Sequence, residues 1–151
     1  MPDFINITSK EPIAEVIKSA FDMELDISGS WGYSQDEPMV IHSIPTTMSQ
    51  LQHTLASIRA HIEMNMTLPS HQRYGGINLK ELNRESNTTT NTSLDKVTYE
   101  ITAMLESDYS RFIDEYKALY GTEEFDMAKH FKEREKCTLH RTVIVWFDTC
   151  I

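Results

Sequence analysis

An α+β domain is what this sequence predicts: a largely antiparallel sheet of about five strands with three or four helices packed mainly on one face. Three observations carry the expectation. Segments whose hydrophobic residues alternate with period two come in pairs joined by short connectors, and segments with a helical stripe lie between the pairs. The chain has 151 residues, the commonest size for one domain, and no repeat or linker divides residues 1–151. Residues 38–58 contain no Asp, Glu, Lys or Arg, although such residues make up 25% of the chain. An unpaired ion taken out of water is costly, so this stretch is expected to be buried, in the chain's own core or against another chain.

The elements follow in order. Phe4-Ile5-Asn6-Ile7 reads as a short first strand. Ser9 is placed to cap a helix with Pro12 in its first turn, and Ile13, Val16, Ile17, Ala20 and Phe21 form its stripe. Residues 23–28 alternate, with Met23, Leu25 and Ile27 on one side, as in a half-buried strand. Residues 29–38 form a turn region carrying Trp31 and Tyr33, and residues 39–42 a short apolar strand. Thr46 or Thr47 caps the main helix, whose stripe is Met48, Leu51, Leu55, Ile58 and Ile62; Pro69 and Gly75-Gly76 end that unit. Residues 77–85 and 95–105 read as two strands joined by a polar tip at 86–93; Val97, Tyr99, Ile101, Ala103 and Leu105 share one face of the second. Ser107 is placed to cap a helix with Tyr109, Phe112, Ile113, Tyr116 and Leu119 inward and Gly121 beyond its end. Residues 122–136, with Phe125, Ala128 and Phe131, form a shorter helix, and 138–148 the last strand.

Charge narrows the partners. The net charge is −9, which repels nucleic acid and anionic membrane alike. Residues 1–40 carry eight acids against Lys10 and Lys18, whereas Lys129, Lys132, Arg134, Lys136 and Arg141 cluster near the C-terminus as a solvated helix end. No signal peptide or membrane span is read, so a cytoplasmic location is expected, and the four N-x-S/T sequons are chance matches. Cys137 and Cys150 would sit about 43 Å apart on one extended strand, and so read as free thiols.

No motif identifies a chemistry. The six histidines contain no metal-binding spacing, and His61-Ile62-Glu63 lacks the P-C-x-x-C that an H-x-E deaminase site requires. There is no G-x-S-x-G and no phosphate-binding loop. Asp114-Glu115 and Glu123-Glu124 are neighbours in sequence, which on a helix point about 100° apart and do not converge. No cofactor is expected.

The candidate binding residues are Trp31 and Tyr33 with Asp36 and Glu37 in the glycine-bracketed turn, which either presents its aromatic rings or folds Trp31 back over the sheet edge, together with His42, Arg73 beside Gly75-Gly76, and His140. The expected function is that of a non-catalytic protein-binding module, an inhibitor- or immunity-type partner of another protein or a self-associating subunit, hence a homo-oligomer. The alternative is an enzyme or small-ligand binder with a site in the groove between sheet and helices, drawing on His42, His140, Tyr99 and Arg141.

Overall fold

Among the described residues, 3–89 and 93–149 of a computed structural model, five strands and four helices form an α+β fold. In chain order these are α1 (Ile13–Phe21), β1 (Ile27–Gly29), β2 (Met39–Ile41), α2 (Met48–His61), β3 (Tyr74–Thr88), β4 (Ser93–Leu105), α3 (Glu106–Leu119), α4 (Met127–Cys137) and β5 (Leu139–Asp148). The sheet is open, ordered β1-β2-β5-β4-β3, with every neighbouring pair antiparallel except β2 and β5. No helix among the described residues is long and apolar enough to cross a membrane.

Local chemistry sets the helix ends. Thr47, in extended conformation, accepts the Gln50 N–H through its side chain at 3.3 Å and so starts α2. At its far end α2 widens into one π-helical turn, Ile62–Met66, closed by the Thr67 hydroxyl donating to the Ile62 carbonyl at 2.8 Å. Asp126 starts α4 by accepting the Lys129 N–H at 3.0 Å, so residues 122–126 are turn rather than the expected first helical residues. Ser107 is not a cap, because β4 runs directly into α3 at Glu106.

The main core lies between α1, α2 and one face of the sheet. Ile13, Ile17, Leu51, Leu55, Ala56 and Ile58 pack over Val97, Tyr99, Val145 and Phe147, all buried. A smaller cluster of Ala60, Met64, Ile101 and Ala103 continues it under the end of α2. Residues 4–7 do not pair as a strand. Phe4 packs edge-on to Tyr74 with ring centroids 5.5 Å apart, and the Ile7 N–H donates to the Tyr33 hydroxyl at 2.9 Å. Phe4 and Ile7 are packed against the core without joining a ladder, and Ile5 between them is 81% exposed. The expected strand at 23–28 shrinks to β1 because its partner β2 is only three residues long. At the other end of the sheet, α3 and α4 form a hairpin around buried Phe112 and His130, whose rings meet at 5.6 Å.

β3 runs to Thr88 and β4 starts at Ser93, so both ends of the expected polar tip at 86–93 are strand; residues 90–92 and Cys150 lie outside the described residues. Cys137 is a free thiol.

Candidate interaction surface

The uncharged stretch divides in two. Its inward side chains, Leu51, Leu55, Ala56 and Ile58, are core, as the stripe predicts. Its other half is not buried within the chain: residues 42–47, Ser49, Gln50 and His53 are exposed, including Ile44 at 39%. Desolvation inside this chain therefore accounts for the missing charge on only one side of α2. The outer side is a neutral surface in a protein of net charge −9.

Two grooves flank that surface. One, of about 580 Å³, is lined by Thr46, Ser49, Gln50, His53, Thr54 and, on β3, Glu81. The other, about 270 Å³, is lined by Phe21, His53, Thr54, Ser57, Ile58 and His61. His53 stands on the ridge between them, its Nε2–H donating to the Leu79 carbonyl at 3.2 Å and its ring edge-on to Tyr99 at 6.1 Å. His61 Nδ1–H donates to the Ser57 carbonyl at 2.8 Å. These bonds hold both imidazoles against the helix and the sheet, which limits the rotamer entropy a partner would have to freeze.

Two buried polar networks fix α2 beneath this surface. At its start Gln52, fully buried, donates to Asp95 at 2.8 Å and accepts from Arg84 at 2.5 Å, while Ser86 donates to the other Asp95 oxygen at 2.7 Å. The Glu81 carboxylate, bonded to Arg84 at 2.7 Å, holds that guanidinium above the usual arginine range. At the other end Arg59, 3% exposed, donates to the carbonyls of Trp31 at 3.1 Å and Ile144 at 3.0 Å and stacks on Tyr33 at 4.4 Å. Burial lowers its pKa. Glu63, 1% exposed, accepts from Arg141 at 2.8 Å and from the Tyr33 hydroxyl. β2 reaches β5 only at Phe147 and Asp148, so further along β5 Gly32 and Arg59 stand in for the missing strand.

Burial, and then the bond to Glu63, raises the Tyr33 pKa; burial likewise raises that of Tyr99. Folded-state values above the ordinary tyrosine value of 10.0 favour the neutral phenol. Their contribution is intact below the unfolded pKa and is lost as pH rises from there through the folded pKa. Urea midpoints are therefore expected to fall with pH above about 10, less steeply in Tyr33→Phe than in the wild type.

The residues singled out from sequence do not converge. Trp31 is 4% exposed and part of the core, because the turn folds back along β5 with the Trp146 N–H bonded to the Gly32 carbonyl at 2.9 Å. Of the two placements open to this turn, the structure takes the folded-back one: Trp31 and Tyr33 are packing and hydrogen-bonding residues rather than an exposed recognition surface, while Asp36 and Glu37 remain exposed on its outside. His42 is exposed, 2.6 Å from the Ser28 hydroxyl. Arg73 donates to the Leu68 carbonyl at 2.8 Å and tightens the turn before β3. His140 is exposed between Glu135 at 2.9 Å and Glu100 at 3.8 Å. His140, on the sheet face away from α2, therefore shares no groove with Tyr99 and Arg141, which face α2, nor with His42 at the far edge. No cluster of three or more His, Cys, Asp or Glu among the described residues could hold a metal ion.

Sequence reasoning missed Gln52, Arg59, Glu63, Asp95 and His130, all buried. The only available signal was the Gln52 and Arg59 positions, which share the inner arc of α2 with Leu55, Ala56 and Ile58.

Comparison with protein-family models, curated proteins and solved structures finds no match to this chain.

Proposed function

We propose that this protein is a non-catalytic protein-binding module whose contact surface is the neutral outer face of α2 with its two grooves. The observation that supports the reading is the exposed half of the uncharged stretch. Depletion of charged residues is what distinguishes the centre of a protein interface from the rest of a surface, and nothing inside this chain requires it at Ser49 and Gln50. The buried networks at both ends of α2 supply a rigid platform, which lowers the ordering cost of association.

The test places charge on that face. Ser49→Lys with Gln50→Glu is expected to leave thermal stability within about 0.5 kcal/mol, since both side chains are exposed. It is also expected to abolish capture of any partner that the wild-type protein retains in quantitative cross-linking. Capture that is indifferent to both substitutions would sink the reading.

One observation favours a second reading, a small-ligand binder. A cleft of about 450 Å³ opens between the hairpin of α3 and α4 and the sheet face away from α2, lined among others by Tyr109, Thr102 and Arg134. The Arg134 guanidinium lies 5.4 Å over Phe131 and has no carboxylate partner among the described residues. Thermal shifts with small carboxylates, absent in Arg134→Met, would be its support.

A further inference from the structure

The neutral face adjoins an unpaired strand edge, and we propose that a second copy of this chain docks there, β3 against β3 in antiparallel register. Lys80 then lies opposite the partner's Glu85, and Glu81 opposite the partner's Arg84. The inference rests on the reading of the α2 face as a contact surface and names its occupant.

β3 is the outermost strand on its side of the sheet, and residues 80–88 are exposed apart from half-buried Arg84. The start of the strand is closed by side chains: Asn65 takes the Tyr74 carbonyl at 2.8 Å and His53 takes that of Leu79. Between Lys80 and Glu85 no side chain among the described residues takes a backbone group of β3. Leu82 stands 49% exposed in the middle of this open section.

The charge order there is Lys80, Glu81, two neutral residues, Arg84, Glu85. Read backwards it becomes minus, plus, two neutrals, minus, plus. A two-fold axis between residues 82 and 83 therefore sets every charge opposite its complement. The nearest other registers that keep like faces together set Glu81 opposite the partner's Glu81, or Arg84 opposite the partner's Arg84. Like charges directly opposite are destabilising in a sheet.

In a regular strand that favoured register is forbidden, because directly opposed residues must share a face and Lys80 and Glu85 differ by an odd number. The bulge in β3 removes the conflict. The pairing with β4 skips one residue between Glu81 and Asn83, so Lys80, Asn83 and Glu85 face one side, opposite Glu100, Thr98 and Lys96. Glu81 and Arg84 face the other side, opposite Tyr99 and Val97. A bulge and a lysine ordinarily blunt an edge against pairing. Here the extra residue is what lets the charges match.

The same axis accounts for the α2 surface. Pairing β3 edges makes one ten-stranded sheet with α2 of both copies on the same face, either side of the axis. Two chains of net charge −9 repel. The groove between α2 and Glu81 is where they approach, and there the helix carries Thr46, Ser49, Gln50, His53 and Thr54 and no ion.

Sedimentation equilibrium on the full chain, mass 17.5 kDa, tests this. The wild type is expected to dimerise. Lys80→Glu or Glu85→Lys alone converts two symmetry-related pairs to like charge and is expected to weaken the dimer about tenfold or more. The double variant Lys80→Glu, Glu85→Lys reverses both signs and is expected to return the affinity to within about threefold of wild type. Both positions are exposed, and circular dichroism confirms folding of each variant. A wild-type monomer overturns the proposal, as does a dimer indifferent to the single reversals or one that the double variant does not restore. If the β3 dimer fails while Ser49→Lys with Gln50→Glu still loses a captured partner, this occupant is wrong and the contact-surface reading stands.

Discussion

Replacing Glu63 by alanine is expected to lower the stability of the domain by about 3–5 kcal/mol and its melting temperature by on the order of 10 °C. Glu63 is 1% exposed and lies among two guanidinium groups and a phenol. Arg141 bonds to it at 2.8 Å and is itself largely buried, while Arg59 above it already has a lowered pKa from burial. Removing the carboxylate leaves two buried cations without their counter-charge and the Tyr33 hydroxyl without its acceptor. Breaking a buried pair by deleting one partner is costly for this reason, even where the intact pair contributes little. Glu63→Gln, which keeps the shape and an acceptor oxygen, is expected to lose less. Chemical denaturation of the two variants side by side measures the difference. Equal losses would show that shape, rather than charge, sets the cost.

Gly32→Ala is expected to cost about 2–4 kcal/mol. Gly32 has φ +77, a left-handed conformation that alanine adopts only with strain. A Cβ there would lie 2.8 Å from the Trp146 carbonyl oxygen and 3.0 Å from a Val145 methyl, both in the sheet. The close approach is what allows the Gly32 carbonyl to accept the Trp146 N–H and fill the gap beyond β2. Gly121 is the matched control, with φ +82 and nothing within 4 Å of the place a Cβ would occupy. Gly121→Ala should therefore cost only the backbone strain, about 1–2 kcal/mol. Thermal melts of the two variants separate strain from overlap, and equal losses would refute the close-approach argument.

Elements that bury one regular face were legible in the sequence. The stripe Leu51, Leu55 and Ile58, the Thr47 cap, and the alternation through Val97, Tyr99 and Ile101 each mark a buried side with a fixed period, and each is found there. The same signal misled at residues 4–7 and 23–26, where Phe4, Ile7, Met23 and Leu25 are packed but no strand of matching length lies alongside. Periodicity reports burial; pairing depends on a partner elsewhere in the chain. The candidate site was legible only as an absence of charge. Which part of that stretch faces water could not be read, because exposure on α2 is decided by where β3 and α1 come to rest. Trp31 was left undecided for a related reason: an aromatic between two glycines suits an exposed turn or a folded-back one, and the gap beside β5 chose the second.

By itself the sequence determined the fold class, the order of the elements from α1 onward, the inner face of α2 and the neutral character of its outer face. Those properties reside in local spacing and composition, which act before distant segments meet. The tertiary structure alone decided the parallel contact of β2 with β5, the burial of Arg59 and Glu63, and the bulge that sets Lys80 and Glu85 on one face. Each of these depends on partners far away in the chain, such as the carbonyl of Ile144 for Arg59, 85 residues on. A charged or polar residue reveals nothing of such a partner in its own neighbourhood, and only the packed chain supplies it.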